Sequence, residues 1–465
     1  MQQILLFLIL ITFSLSIIIR EQLNLKYIND ITKIKSTIED QSSQYHHSAY
    51  NRLAYIVDTY GPRLWGSDVL EAAIMDFYQQ IQQEKIDVKL EKVSNFTKWE
   101  RGNENLTLFE PRLHPQKLNF IGLGLSVPGN VTAEAFLVTS FEDLEKNKDK
   151  VNGKIVIYAF PWVDYPTTVQ FRTSGASYAA KYGAVAVLIR SITPFSINSP
   201  HTGAMQYKEK DEHGNPIPKI PAGSITVEDA EMLLRMQKRG QNIRINLYME
   251  NRQVPNCESF NVVAELKGTE FPEEIIVLGG HIDSWDVGSQ TGANDDGGGF
   301  ITTFEALRII QKLGLQPKRT IRFVAWSGEE YGGSNSGGSQ YAQLHKGENV
   351  ILAFENDMGS RTSIGWGFNA KNNTQSQRLK DLLQKYMKNI YGLTKVFDGE
   401  GEMVDTSWLG APMIRNIADD TKDNKYYFTY HHSAGDTMSI MDPDQLDQNV
   451  VGIASLVYLV AQEGI

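Results

Sequence analysis

The stretch "GGHIDSWDVGSQTGANDDGGGF", residues Gly279–Phe300, determines how the rest of the sequence is interpreted. It continues the apolar run "EIIVL", contains one His and four Asp, and leads through glycines into a helical pattern. A buried apolar segment that gives way to charge and glycine is typical of a strand that reaches the carboxyl edge of an α/β sheet. We therefore expect these charged side chains to lie at the open edge of a sheet.

Strand and helix patterns alternate around this stretch and predict the fold class. The strand patterns include "NVVAEL", "TIRFVAWS" and "NVILAFEND", and the helix patterns are "FITTFEALRIIQKLG" and the segment after Pro443. Strands that alternate with helices predict an α/β domain whose central mixed, largely parallel sheet is flanked by helices.

The middle of the chain has a different pattern, which predicts an inserted module. Between Phe109 and Asn256 lie short strand-like pieces, such as "AEAFLV" and "GKIVIYAF", and one predicted helix, "SGASYAAKYGAVAVLI". The segment from Ser48 to Lys85 is rich in helical patterns, which the turn "YGPRLWGS" interrupts. The predicted domains are a signal peptide (1–19), the N-terminal part of a catalytic domain (20–110), a mainly-β insert (111–255) and the main part of the catalytic domain (256–465).

Charge and cysteine content exclude several classes of function. The net charge of −10, without a basic run, argues against nucleic acid or an anionic membrane surface as the main partner. The single cysteine, Cys257, can form neither an intrachain disulfide nor a cysteine-type metal site. A secreted form of this chain must therefore be stabilised by its core or by subunit contacts.

The N-terminus predicts entry into the secretory pathway. Residues 4–19 of "MQQILLFLILITFSLSIIIR" are apolar, which suits a signal-peptide core and is short for a membrane span. No basic residue precedes this run and no clear small-residue cleavage site follows it, so an uncleaved membrane anchor stays an alternative. Secretion or lysosomal delivery is the expected location. Four N-glycosylation sequons agree with it, at Asn95, Asn105, Asn130 and Asn372.

Metal-competent side chains recur where the predicted strands end. Considered alone, an Asp pair can cap a helix, a Glu pair can lie in a solvated turn, and a His can be hydrogen-bonded in the core. Their recurrence at independent strand ends favours a bound cation, and imidazole with carboxylate suits catalytic Zn²⁺, in a set able to hold two ions. These side chains are His281, Asp283, Asp295, Asp296, Glu329, Glu330, Asp357 and the pair His431 and His432.

Other catalytic motifs are absent from the sequence. It contains neither the HExxH pattern of helix-borne zinc peptidases nor a GxSxG nucleophile turn. "GSNSGGSQY" lacks the lysine and the spacing of a phosphate-binding loop, and we interpret it as a turn that leads into a helix.

Several motifs together resemble the family of co-catalytic di-zinc aminopeptidases and glutamate carboxypeptidases. They are "GGHIDSWDVG…GANDDGGG", "WSGEEYGGSNSG", "FENDMGS" and "YHHSAGDTMSIMDPDQ", and the resemblance runs from about Ser48 to the end. "IPAGSITVEDAEML" and "GAPMI…KYYFTYHHSAGDTM" point to one carboxypeptidase branch. The resemblance implies a zinc exopeptidase fold, with an insert similar to a protease-associated domain, and a homodimer.

The resemblance also assigns roles to the metal-competent residues. It implies Glu329 as general base and Asp295 as the ligand that bridges two Zn²⁺ per subunit. His432 is preferred over His431 because the family pattern is His-Ser followed three residues later by an acid, here Asp436. The implied metal ligands are His281, Asp295, Glu330, Asp357 and His432.

Further features of the site follow from the same resemblance. Asp283 matches the acid that orients the imidazole of His281, although it could simply cap a turn. A cis peptide bond is implied after Asp295, and the loop before it is about two residues longer than in the resembled branch. Asp405 and Tyr430 are candidate substrate contacts, with packing or loop roles as the alternative.

The resulting hypothesis is a zinc-dependent exopeptidase that hydrolyses dipeptides or short peptides with free termini. A metal-bridging hydroxide would attack the scissile carbonyl while Glu329 transfers the proton. An aminopeptidase of the same family is an alternative. A single-zinc glutaminyl cyclase is less compatible, since His281 and Asp357 are both present, and a non-catalytic receptor-like ectodomain is disfavoured by the intact ligand set.

Overall fold

The computed structural model describes residues 2–419 and 426–465, with side chains from Arg20 onward within those ranges. The predicted signal peptide, residues 1–19, therefore lies outside the residues whose side chains are described, and it stays a prediction. Across the described ranges we find no helix with both the length and the apolar character that a bilayer span requires.

Within the described ranges the chain forms two eight-stranded sheets. The strands are β1 (Asp87–Glu100), β2 (Glu104–Glu110), β3 (Gln116–Lys117), β4 (Phe120–Gly122), β5 (Gly129–Val138), β6 (Ile155–Tyr158), β7 (Ala186–Arg190), β8 (Ala222–Ile225), β9 (Arg244–Met249), β10 (Arg252–Leu266), β11 (Phe271–His281), β12 (Arg319–Trp326), β13 (Asn349–Glu355), β14 (Ser363–Asn369), β15 (Val396–Asp398) and β16 (Met413–Ala418). The helices are α1 (Gln2–Glu39), α2 (Ser48–Tyr60), α3 (Asp68–Gln83), α4 (Phe141–Lys146), α5 (Tyr165–Thr168), α6 (Gln170–Ala180), α7 (Val227–Lys238), α8 (Gly298–Lys312), α9 (Gly337–Leu344), α10 (Asn373–Tyr386), α11 (Val404–Ser407), α12 (Tyr426–Tyr430) and α13 (Pro443–Glu463).

The first sheet carries its parallel strands in the centre. Its order is β1-β10-β12-β11-β13-β16-β14-β15. Neighbours from β12 to β16 pair in parallel, whereas β1 with β10, β10 with β12, and β16 with β14 pair antiparallel. The register aligns Leu278 with Phe323 on one side and Phe354 on the other, and all three side chains are buried. The predicted α/β fold with a mixed, largely parallel sheet is confirmed.

Helices cover both faces of this sheet. In α8, Phe300 and Phe304 recur at helical spacing, and both are fully buried. The ring of Phe304 meets Phe77 of α3 edge-on, with centroids 5.1 Å apart. Truncating such a buried Phe to Ala costs about 3–5 kcal/mol. On the opposite face, Trp326 of β12 packs against Tyr341 of α9.

The second sheet forms the module in the middle of the chain. Its order is β3-β2-β9-β5-β6-β7-β8-β4. It already includes β2, which starts at Glu104 and pairs with β9, whereas the predicted insert starts at residue 111. This pairing joins segments far apart in the sequence, so the local pattern around residue 104 does not reveal it.

One element predicted within this module is wrong. The segment "SGASYAAKYGAVAVLI" is predicted as a single helix, but α6 ends at Ala180 and the last residues form β7. Gly183 adopts a φ of +83° and donates its N–H to the carbonyl of Ala180, which closes the helix. The run after it pairs in parallel with β6 and β8. A short apolar run fits a buried strand as well as a helix.

The parallel strands bring the metal-competent residues to one edge of the first sheet. β11 ends at His281, β12 ends three residues before Glu329, and β13 ends two residues before Asp357. His281 is in register with Trp326, the last residue of β12, so the strand ends lie side by side. The charged side chains of residues 279–300 therefore lie at the carboxyl edge of the sheet, as predicted.

Candidate metal centre

The end of β11 brings one imidazole between two carboxylates. His281 Nε2 lies 3.4 Å from Asp295 Oδ1 and 3.6 Å from Asp357 Oδ1. His281 is fully buried, and its Nε2 has no hydrogen-bond partner. The other ring nitrogen, Nδ1, lies 3.0 Å from the carbonyl oxygen of Asp283, which favours a proton on Nδ1 and leaves the Nε2 lone pair available for a cation.

A second imidazole approaches Asp295 from the other side. His432 Nε2 lies 3.3 Å from Asp295 Oδ2 and 2.9 Å from Glu330 Oε2. Asp295 thus stands between the imidazoles of His281 and His432. All of the predicted ligands, His281 and Asp357 included, are therefore brought together.

The neighbouring His431 also reaches this cluster. Its Nε2 lies 3.5 Å from Asp295 Oδ2, and its ring stacks on that of His432 with centroids 3.5 Å apart. His432 Nε2 is also close to Glu330, and its Nδ1 faces the carbonyl oxygen of Thr202 at 3.3 Å. These contacts favour His432 as the ligand and place His431 beside it in the wall of the cleft.

Asp283 contacts His281 mainly through its carbonyl oxygen, and its carboxylate binds the backbone of the turn after β12. Its carboxylate Oδ1 lies 3.6 Å from His281 Nδ1, farther than its own carbonyl oxygen. The same Oδ1 accepts the N–H of Gly328 at 2.7 Å and that of Glu329 at 3.3 Å, and Oδ2 accepts that of Glu330 at 3.4 Å. Asp283 therefore organises the turn that carries Glu329 and Glu330, as well as facing the imidazole.

Two further acids hold the loop around Asp295. Asp296, which follows it through a cis peptide bond as the resemblance implied, accepts the backbone N–H of His281 at 3.0 Å. Asp436 accepts the N–H groups of Asn294 at 2.7 Å and of Asp295 at 3.1 Å. The spacing between His432 and Asp436 signalled the second acid in the sequence, but no local pattern indicated its partners.

Glu329, the predicted general base, lies beside this cluster at the surface of the cleft. Its Oε2 lies 3.8 Å from His281 Nε2, and the residue lines the cleft. Burial raises the pKa of Glu329 well above its usual range, with the charge of Asp357 acting in the same direction and His281 opposing it. Burial likewise raises the pKa of Glu330 and Asp357.

The donor set fits a cation. Burial alone would raise the pKa of Asp295, but its contact with His281 and the nearby His431 and His432 outweigh burial and lower it. His281 Nε2 and Asp295 Oδ2 are buried without a hydrogen-bond partner. Buried carboxylates that face one another are costly unless a positive charge compensates them. Nitrogen and oxygen donors without thiolate match the ligands of catalytic zinc.

A cleft of about 800 Å³ opens over this cluster. Arg172 and Tyr165 reach it from the second-sheet module, and Phe428 and Trp408 add aromatic walls. Among the described residues that line the cleft, Arg172 is the only Arg or Lys. No local pattern in the sequence indicates Arg172 and Tyr165, because contacts between the module and the site loop join segments far apart in the chain.

The two candidate substrate contacts, Asp405 and Tyr430, lie outside the lining of the cleft. Asp405 is fully buried, and its backbone N–H donates to Glu355 at 3.2 Å. Tyr430 packs against Tyr426 with ring centroids 5.3 Å apart. Neither side chain is among those that line the cleft, whereas Phe428, two residues before Tyr430, is.

Comparisons with known proteins identify the family. The model of peptidase family M28 matches residues 261–457. Carboxypeptidase Q of Mus musculus is 44% identical over 428 residues, which cover 90% of this chain and 86% of that protein. Carboxypeptidase Q of Homo sapiens is 44% identical over 424 residues, which cover 89% and 85%. The chain belongs to peptidase family M28. It is a metallo-exopeptidase, as its motifs predicted.

Solved structures agree with this membership. A peptidase M28 precursor from Shewanella amazonensis SB2B is 28% identical and superposes with a TM-score of 0.84, over 95% of this chain and 98% of that one. A zinc aminopeptidase from Bacillus subtilis, 20% identical, has a TM-score of 0.66 over 89% of this chain and 95% of that one. The second likeness shows the shared fold.

Proposed function

We propose that this M28 peptidase is a zinc-dependent exopeptidase that hydrolyses dipeptides or short peptides with a free carboxyl end. One observation carries the proposal: the only lysine or arginine among the described residues of the cleft, Arg172, lies beside the converging ligand set. A single cation next to a catalytic centre is suited to binding a carboxylate close to the scissile bond. The similarity to carboxypeptidase Q supports this direction.

We assign the proposed zinc ions to named residues. His281 and Asp357 would hold one zinc ion, Glu330 and His432 the other, and Asp295 would bridge them. Bound zinc supplies Lewis-acid polarisation of a carbonyl group and lowers the pKa of water. The buried, unpartnered atoms His281 Nε2 and Asp295 Oδ2 support this assignment.

Glu329 is the group that moves the proton. It lies beside His281 at the cleft surface and is not needed as a ligand. Its carboxylate takes a proton from the attacking water and gives it to the nitrogen of the leaving amine. A carboxylate within reach of the attacking water can carry out both steps, because it can accept a proton and then release it to the leaving nitrogen.

The module supplies the contacts for the substrate carboxylate. The guanidinium of Arg172 is fixed by Nη2, which donates to Tyr165 Oη at 2.9 Å, and by Nη1, which donates to the carbonyl of Thr202 at 3.2 Å. Its Nε has no partner. A preorganised guanidinium loses little freedom when it binds a carboxylate. The aromatic rings of Phe428 and Trp408 border the same cleft.

An aminopeptidase activity is the second candidate, and one residue favours it. Glu402 is an exposed carboxylate in the wall of the cleft, where it could accept the ammonium group of a free N-terminus. Recognition of both ends would restrict the enzyme to short peptides. Blocking one end at a time therefore separates the two activities.

A panel of dipeptides tests the proposal directly. Zinc-loaded protein should cleave an unblocked dipeptide and its N-acetylated form, and it should cleave the C-terminal amide much more slowly. Chelation should abolish the activity, and added zinc should restore it. Cleavage of the amide at the unblocked rate, with loss of activity on the N-acetylated form, would establish the aminopeptidase instead.

Location and assembly are part of the same proposal. The enzyme would be made in the secretory pathway, with its leader removed, and would act as a secreted or lysosomal homodimer. Asn95, Asn130 and Asn372 are exposed, and Asn105 is half-buried, which supports glycosylation of these sequons. Loss of a glycosidase-sensitive mass shift in Asn→Gln variants would identify the sites that are used.

A further inference from the structure

The turn "YGPRLWGS" between α2 and α3 packs against the loops that carry the proposed metal ligands. The sequence marks it only as a break between helices. In the structure Arg63 is fully buried and Trp65 is 3% exposed. Both side chains point into the catalytic domain, toward the loops that carry the proposed ligands.

The guanidinium of Arg63 contacts only carbonyl oxygens. Its Nε donates to Ile282 at 2.8 Å, its Nη2 to Gly292 at 2.9 Å and its Nη1 to Gly61 at 3.0 Å. The backbone adds two contacts, because Arg63 N donates to Ser284 Oγ at 3.0 Å and Ser284 N donates to Arg63 O at 3.1 Å. A fully buried arginine without a carboxylate partner is unusual, since buried charges are generally paired.

These carbonyl groups bracket the loop between two proposed ligands. Ile282 directly follows His281, and Gly292 lies three residues before Asp295. The guanidinium of Arg63 therefore fixes both ends of the loop between His281 and Asp295. A Cβ at Gly292 would come within 2.8 Å of Arg63 Nη2, so the fit at this end leaves no room for a side chain.

The same turn supports the second ligand loop. Gly328, just before Glu329 and Glu330, has a φ of +85°, and a Cβ there would lie 2.3 Å from the ring of Trp65. Its N–H donates to Asp283 Oδ1 at 2.7 Å. Contacts from one turn thus reach the loop after β11 and the loop after β12.

The positive charge of Arg63 also interacts with acids around the site. Its charge acts on Asp436, Asp283, Asp296 and Glu330, all of which belong to the site or to its supporting loops. A cation held behind the acids stabilises them as a group without occupying a ligand position.

We infer that Arg63 is a positioning residue of the metal centre, which sets the separation of His281 and Asp295 and thereby the affinity for zinc. The inference rests on the ligands proposed above. A residue that only fills the turn would affect folding stability, whereas a positioning residue affects zinc affinity beyond its effect on stability.

The test compares two neutral replacements of buried arginines. Arg63→Met should weaken zinc binding at least about tenfold, the order seen when outer contacts of metal ligands are lost. Arg308→Met is the control: Arg308 is mostly buried and paired with Glu84 at 2.8 Å and Glu305 at 2.9 Å, away from the site. Zinc affinity is measured by competition with a chromophoric chelator, and stability by the thermal midpoint of the zinc-free protein.

Chemical rescue separates positioning from folding. Zinc affinity of Arg63→Ala should rise again with added guanidinium ion, at concentrations that leave the zinc-free midpoint of the control unchanged. Should Arg63→Met fail to fold, Arg63→Lys carries the comparison, with intermediate affinity expected because an ammonium cannot span both carbonyl groups. Wild-type zinc affinity in folded Arg63→Met or Arg63→Lys, or rescue of stability without rescue of affinity, overturns the inference.

A separate variant tests the ligand assignment on which this inference rests. His281→Asn should lose about one equivalent of zinc in the otherwise unchanged protein. If it bound zinc like the parent, the ligand assignment and the proposed function would fail whatever Arg63 does. If His281→Asn loses zinc and Arg63→Met does not, the ligands stand and only the role of Arg63 is rejected.

Discussion

His432 directs its Nδ1 at the carbonyl oxygen of Thr202, 3.3 Å away, and so joins the metal centre to the second-sheet module. The backbone repeats the connection, since the N–H of Thr202 donates to the carbonyl of His432 at 2.9 Å. Nδ1 therefore faces the module, while Nε2 faces Asp295 and Glu330. The module therefore orients the imidazole of His432, the proposed ligand, and also forms part of the wall of the cleft.

This contact predicts different outcomes for two adjacent histidines. His432→Asn should lose about one equivalent of zinc and reduce kcat/KM by more than the roughly 10- to 100-fold typical of outer contacts. His431→Asn should keep its zinc content, because its ring lies among aromatic side chains and stacks on His432, and its Nε2 is 3.5 Å from Asp295. Metal analysis of both purified variants, with activity on one dipeptide, checks the prediction. The reverse pattern would make His431 the ligand.

The chemical step depends on Glu329 in a way that separates catalysis from metal binding. Glu329→Gln keeps the size of the side chain and removes proton transfer, which is worth about 10²- to 10⁴-fold in rate. We expect kcat to fall by that order while zinc content and the thermal midpoint stay at the parental values. Glu329→Asp, which keeps a carboxylate on a shorter side chain, should recover part of the loss. Undiminished kcat in Glu329→Gln would remove Glu329 from the mechanism.

Arg172 predicts a loss that depends on the substrate. Replacing it with Met removes a charge-assisted contact, worth about 1.5–3 kcal/mol, or roughly 10- to 150-fold in affinity. KM for a dipeptide should rise by that order, while the slow cleavage of the C-terminal amide should change little. Because Arg172 also lies 3.3 Å from His432 Nδ1, zinc content must be measured alongside. Equal losses on both substrates would mean that Arg172 does not bind the carboxylate.

The sequence predicted those parts of the site that local patterns determine. His281, Glu329 and Asp357 each follow a strand whose apolar run is visible in the chain, and the parallel arrangement then places strand ends together. Arg63 and Arg172 could not be found in this way. Each acts across more than 200 positions of sequence, from Arg63 to Ile282 and from Arg172 to His432, and nothing near them indicates the partner.

The helix predicted over residues 174–189 failed for a related reason. Its apolar residues satisfy both a helix and a buried strand, and the choice is made by Gly183 and by the neighbouring strands β6 and β8. Pairing partners that lie elsewhere in the chain thus decided the structure of this segment, as they decided the first strand of the module.

Stability should depend on pH through Glu71 of α3, away from the metal centre. Burial raises the pKa of Glu71 from 4.5 to about 7, and its Oε1 is buried without a partner. Between these values the folded protein keeps a proton that the unfolded chain releases, so the free energy of unfolding falls as pH rises from 4.5 to 7 and then levels off. After allowance for solvent screening, the effect is about 1–2 kcal/mol.

Glu71→Gln should remove this decline and be more stable than the parent at neutral pH. Denaturant unfolding of both zinc-loaded proteins from pH 4.5 to 8 measures the difference, in which the shared pH dependence of zinc binding cancels. A parental slope in the variant would show that Glu71 is ionised in the folded state.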